Sequence, residues 1–86
     1  LDPALTWRDV SARLKLPQFR GRALGALYLD QGFIAGIGNY LRSEILHFAD
    51  QHPARRPQDL DTREINALAR QTLAVTLRAY RAKGVT

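Results

Sequence analysis

The stretch Leu29-Asp30-Gln31-Gly32-Phe33-Ile34-Ala35-Gly36-Ile37-Gly38-Asn39-Tyr40-Leu41-Arg42-Ser43-Glu44-Ile45-Leu46 decides how the chain is read. An apolar run ends at Asp30. Gly32, Gly36 and Gly38 punctuate the next residues, and helical spacing resumes at Asn39. The pattern predicts two tight turns feeding a helix. Gly36 and Gly38 allow backbone conformations closed to other residues, and they let a second backbone come near. They leave the amides around Ile37 and Asn39 uncovered at a helix start. There N–H groups lack intrahelical partners and the dipole favours negative charge. Such a place suits a phosphate oxygen, and Asn39 adds a carboxamide donor. A plainer role fits equally, with Asn39 as a helix cap and the glycines as turn formers. Spacing alone leaves both open.

Working outward, Phe33, Ile34 and Ile37 make the turns unusually apolar for a loop. They are expected to plug into the core and hold the turns rigid, as a well-aimed anion site requires. Asp30 is expected to organise the turn by accepting from its amides. The preceding helix is expected over Arg22–Leu29, burying Leu24, Leu27 and Tyr28, with Ala23 and Ala26 allowing close approach. Gly25 weakens it by up to ~1 kcal/mol relative to alanine, and a helix crossing there would explain it. The following helix is expected over Asn39–Ala49, with Leu41, Ile45 and Phe48 inside and Leu46 beside them. Arg42 lies off that stripe, within reach of a phosphate. Glu44 would repel one, so it is expected to orient Arg42 or to pair with another domain. His47 and His52 lack the carboxylate or cysteine pattern of a metal site and read as solvated or capping.

Farther out, Leu1–Leu5 is a lead-in containing Pro3. Thr6-Trp7-Arg8-Asp9 reads as a capping box with Leu5 and Val10 as its staple. Trp7, Val10 and Leu14 then form one apolar stripe, and Pro17 ends this helix at or before Leu16. Arg8, Arg13, Lys15, Arg20 and Arg22 make residues 8–22 the densest basic segment. It is either a nucleic-acid contact or a solvated face. Pro53 and Pro57 mark a connector. Asp61-Thr62-Arg63-Glu64 gives a second capping box, with Leu60 and Ile65 as staple. A long helix over Thr62–Ala82 is expected to turn Ile65, Leu68, Ala69, Thr72, Leu73, Thr76, Leu77 and Tyr80 inward. Arg63, Arg70 and Arg81 fall on its outer side, and Gly84 is a natural stop. With no strand of useful length, the fold class is all-α, four helices around one core.

Composition agrees with that reading. Eighty-six residues allow one modest domain, and a formal charge of +5 with a pI near 10.5 suits a polyanionic partner. Cysteine is absent, so disulfides and thiolate metal sites are excluded. No apolar run approaches membrane-spanning length, and a cytosolic or nucleoid setting is expected. The Leu1 start and the Lys83-Gly84-Val85-Thr86 end suggest a piece excised from a longer protein.

Leu29-Asp30-Gln31, Gly36-Ile37-Gly38-Asn39-Tyr40 and Glu44 together resemble the helix–two-turn–helix module of the bifunctional DNA glycosylase/AP lyase family. That family contains formamidopyrimidine-DNA glycosylase and endonuclease VIII. Leu41-Arg42 after Tyr40 looks more like the endonuclease VIII branch. The resemblance implies that Asn39 and the amides of Gly36, Ile37 and Gly38 hold phosphates beside a damaged nucleotide, with Arg42 expected within reach of one from its place on the helix. It implies double-stranded DNA with a damaged base or abasic site as partner, no membrane role, and a monomer. In the family an N-terminal proline amine, assisted by an adjacent glutamate, forms a Schiff base with the sugar. Here Leu1 and Asp2 stand at those places, and the nitrogen of Pro3 is locked in a peptide bond. The zinc-finger cysteines are missing too. The stretch itself is therefore expected to bind DNA weakly and to cleave nothing. The parent is expected to carry a structural zinc, to remove oxidised bases, pyrimidines by the branch resemblance, and to nick the strand by β,δ-elimination. Two alternatives stand beside this: a helix-hairpin-helix DNA binder built on Gly36-Ile37-Gly38, and a helical RNA- or protein-binding module.

Overall fold

A computed structural model describes residues 4–82. It contains α1 (Trp7–Leu14), α2 (Leu24–Leu27), α3 (Asn39–Phe48), a 3₁₀ turn (Pro57–Asp59) and α4 (Thr62–Ala82). No strand occurs among the described residues, so the all-α architecture is as expected. Pro3 and the stop at Gly84 lie outside the described residues.

Both capping boxes form. The Thr6 hydroxyl accepts the Asp9 N–H at 3.3 Å, and the Asp9 carboxylate accepts the Thr6 N–H at 2.9 Å. At α4, Asp61 accepts from the Glu64 N–H at 2.8 Å and Glu64 accepts from the Asp61 N–H at 3.1 Å. These satisfy amides that a helix start otherwise leaves open. α3 ends differently: Asp50 sits at φ 56 and the Gln51 N–H reaches back to Leu46 O at 2.9 Å, a Schellman closure with aspartate in the left-handed position.

α4 is the spine, with α1 and α3 packed along it. Phe33 reaches the core from the loop and lies edge-on to Tyr28 (ring centroids 5.2 Å apart) and Phe19 (5.3 Å). Tyr28 is fully buried, with its hydroxyl 2.7 Å from Thr72 Oγ1. Thr72 Oγ1 donates its one proton to Leu68 O, so Tyr28 is the donor to Thr72. Burial raises the Tyr28 pKa far above its ordinary value.

Four expectations are corrected. The second helix is a single turn, Leu24–Leu27, rather than Arg22–Leu29. Its opening amides are satisfied from a distance: the Leu24 N–H by Arg55 O at 2.8 Å and the Gly25 N–H by Pro53 O at 2.9 Å. The neighbour that requires glycine at 25 is thus the proline connector and not a crossing helix, since a Cβ there would stand 3.0 Å from Pro53 Cβ. Phe48 is 48 % exposed, because the last turn of α3 runs past the core and Arg78 covers the ring at 5.2 Å. Leu77 is 43 % exposed while Val75 is buried. The buried face of α4 is therefore broader than one stripe and leaves Leu77 outside it.

Candidate anion-binding site

α2 and α3 are joined by two consecutive turns, at 31–33 and 35–36, and not by one hairpin loop. Phe33, Ile34 and Ile37 are all buried, so the loop is anchored from within. The first turn is closed by Asp30, whose main-chain oxygen accepts from Phe33 and Ile34 and whose Oδ1 accepts the Gly32 N–H at 2.7 Å. Arg22 pairs with Asp30 Oδ2, and Arg13 Nη1 donates to Phe33 O at 2.9 Å. The Arg22 guanidinium first, then the Gly32 N–H, hold the Asp30 carboxyl below its ordinary pKa.

Beyond these turns α3 begins without a side-chain cap. Gly38 is the N-cap at φ −102, ψ −174, and Asn39 is the first helical residue. Among the described residues, no acceptor takes the N–H groups of Gly38, Asn39 and Tyr40. Gly38, Asn39 and Tyr40 are all exposed, and a Cβ on Gly38 would meet nothing within 4 Å. The other helix starts are closed, α1 and α4 by their boxes and α2 by Arg55 and Pro53. Asn39 is exposed beside these donors. A groove of about 580 Å³ adjoins them, walled by Gly38, Asn39, Tyr40 and Glu44 on one side and Arg78 and Tyr80 on the other.

Not every residue expected at the site offers what was assigned to it. The Gly36 N–H is engaged by Gln31 Oε1 at 3.0 Å, so Gly36 shapes the turn instead of donating outward. It has φ 91, and a Cβ there would lie 2.8 Å from the Tyr80 hydroxyl. Ile37, by contrast, is as expected: its side chain is turned inward, 2 % exposed, and its N–H has no acceptor among the described residues. Arg42 Nη1 is directed back to Gly25 O at 3.0 Å. Glu44 makes no ion pair with Arg42; its carboxylate raises the pKa of the Tyr40 hydroxyl instead. Arg78 and Tyr80 were not expected at this groove. The i, i+3, i+4 spacing of Val75, Arg78 and Ala79 marks a face of α4, but only the tertiary fold sets that face against α3.

The charge balance favours an anion across the whole surface. Asp9, Asp59 and Asp61 accept main-chain N–H groups, and Asp30 and Glu64 pair with Arg22 and Arg55. Arg8, Lys15, Arg20, Arg56, Arg63, Arg70, Arg78 and Arg81 have no carboxylate partner among the described residues. Arg8 and Arg70 flank the Trp7 ring, at 5.0 and 4.5 Å from its centroid.

Comparison with known proteins points the same way. The family described as Formamidopyrimidine-DNA glycosylase H2TH domain matches residues 2–86. Endonuclease 8 of Salmonella arizonae is 41% identical over 86 residues, covering 100% of this chain and 33% of that protein. Endonuclease 8 of an Enterobacter species is 41% identical over 85 residues (99% of this chain, 32% of that protein). Endonuclease 8 of Salmonella newport is 42% identical over 84 residues (98% and 32%). The chain thus spans about a third of the length of these relatives. The two-turn entry to α3, the uncapped amides behind Asn39 and a match along nearly every residue converge on one conclusion: this chain belongs to the formamidopyrimidine-DNA glycosylase H2TH-domain family, on its endonuclease VIII side.

Proposed function

We propose that the chain grips the DNA backbone for a base-excision-repair glycosylase/AP lyase. The observation that carries this reading is the uncapped N-terminus of α3, where the N–H groups of the exposed Gly38, Asn39 and Tyr40 have no acceptor among the described residues. A phosphate oxygen there receives fixed main-chain donors and the positive end of a helix dipole, and the Asn39 carboxamide adds a further donor. Backbone contacts of this kind fix register without reading sequence. They suit an enzyme that must hold any sequence while a nucleotide leaves the stack. The unpaired cations give the longer-range attraction, which falls with salt as counterions are released.

The parent protein is a DNA glycosylase with AP lyase activity. Its reaction is removal of oxidised bases, pyrimidines above all, with strand nicking by β,δ-elimination, performed by segments that supply the proline amine and glutamate. A structural zinc belongs to those segments also. This chain has no cysteine, and no group of three potential metal ligands gathers among its described residues. The chain acts as a monomeric module on double-stranded DNA in the cytosol or nucleoid.

The test is Asn39→Ala in duplex binding followed by fluorescence anisotropy. Loss of a hydrogen bond to a charged acceptor should weaken binding by ~1.5–3 kcal/mol, with the melting temperature little changed. Unaltered affinity in a folded variant removes the phosphate role.

A further inference from the structure

Resting on the phosphate reading above, we propose that Gln31 is the positioning residue of this site. Its carboxamide oxygen holds the second turn through the Gly36 N–H and thereby aims the amides of Gly38, Asn39 and Tyr40. The two turns differ in what closes them. The first has two main-chain bonds to Asp30 O, the Asp30 side chain, and clasps from Arg13 and Arg22. Across the second, the well-formed hydrogen bond comes from a side chain, Gln31 Oε1 to the Gly36 N–H at 3.0 Å.

Gly36 needs that tie more than another residue would. At φ 91 it holds one conformation out of the many that glycine samples freely. The donors begin two residues later, so an altered peptide plane at Gly36 is carried directly into Gly38. A binding constellation tolerates displacements of only about 0.5 Å. Gln31 is exposed, whereas Ile34 and Ile37 on either side of Gly36 are buried. Removing the carboxamide therefore opens no cavity and leaves the turn anchored, yet frees the orientation of its peptides. The Gln31 Nε2 group has no partner among the described residues, so the rival role is direct donation to the anion.

Two substitutions separate these roles in the 86-residue chain. Gln31→Met keeps length and removes the acceptor. Gln31→Glu keeps an acceptor and removes the donor. Amide hydrogen exchange read by NMR should show the Gly36 N–H exposed in Q31M and protected in Q31E, with core amides unchanged in both. Affinity for an undamaged duplex should fall ~5- to 10-fold in Q31M, the worth of one net hydrogen bond. Q31E should stay within ~3-fold of the parent chain at about 0.3 M salt, where the added charge is screened. The salt slope of Q31M should match that of the parent chain, since no phosphate contact is removed. Equal weakening in Q31M and Q31E makes Gln31 a direct donor and overturns the proposal. Parental affinity in Q31M, or loss of core protection in it, overturns it as well. Asn39→Ala run alongside tells the two readings apart. If N39A weakens binding and Q31M does not, positioning alone falls; if neither weakens it, the phosphate site falls too.

Discussion

Gly38→Ser should make the protein more stable and a poorer DNA binder. Gly38 is already the N-cap of α3 with extended angles (φ −102, ψ −174), and no atom lies within 4 Å of where a Cβ would stand. Serine fits these angles without strain, and its hydroxyl can accept from the N–H of Tyr40 or Leu41, as N-cap serines do. Serine improves on glycine as a cap by a few tenths of a kcal/mol. Losing glycine's freedom in the unfolded chain adds ~0.4–1 kcal/mol. A net gain of about 0.5–1 kcal/mol raises the melting temperature of a chain this size by about 2–8 °C. The same hydroxyl engages a donor needed by the phosphate and stands in its path. At ~1.5–3 kcal/mol for a hydrogen bond to a charged acceptor, duplex affinity should fall roughly 10- to 160-fold. Thermal melts by circular dichroism and anisotropy titrations on the same preparations measure both. A higher melting point with unchanged affinity would mean that the anion does not dock on these amides. A lower melting point would refute the described geometry of Gly38 itself.

Two further outcomes concern the turns. Gly36→Ala should destabilise the fold by about 1–2 kcal/mol, the cost of a left-handed conformation for a residue with a Cβ, increased by the contact at 2.8 Å with the Tyr80 hydroxyl; adding Tyr80→Phe should restore part of the loss in thermal melts. At Asp30 the sign is that of a depressed carboxyl. Its contribution is complete well above the ordinary value of 3.8 and is lost as the pH falls below it. Asp30→Asn should therefore lower the urea midpoint at neutral pH and flatten its decline between about pH 5 and pH 2.

The parts of the fold legible in the sequence are those governed by local chemistry. Thr6 with Asp9 and Asp61 with Glu64 announce two helix starts, because capping needs only a few adjacent residues. Phe33, Ile34 and Ile37 announce a loop pinned from inside, because apolar side chains have nowhere else to go. What escaped depends on neighbours far along the chain. α2 shrinks to one turn because its first amides bond to Arg55 and Pro53. Phe48 and Leu77 obey helical spacing yet stay exposed, since periodicity alone does not say where a packing neighbour ends. The site divides the same way. Gly38 and Asn39 are readable as a helix entry, whereas the engagement of Gly36 by Gln31, the turn of Arg42 toward Gly25 and the arrival of Arg78 and Tyr80 opposite are tertiary facts.

The dependence of α2 on the 53–55 connector bears on how the two turns are held. Four residues cannot sustain a helix alone, because nucleation consumes the gain of the first hydrogen bond. Leu24 and Gly25 obtain acceptors only where the segment beyond α3 folds back on them, so this turn is a product of the tertiary structure and not of its own four residues. The two turns that follow it are thereby tied, through α2, to the seating of residues 53–55.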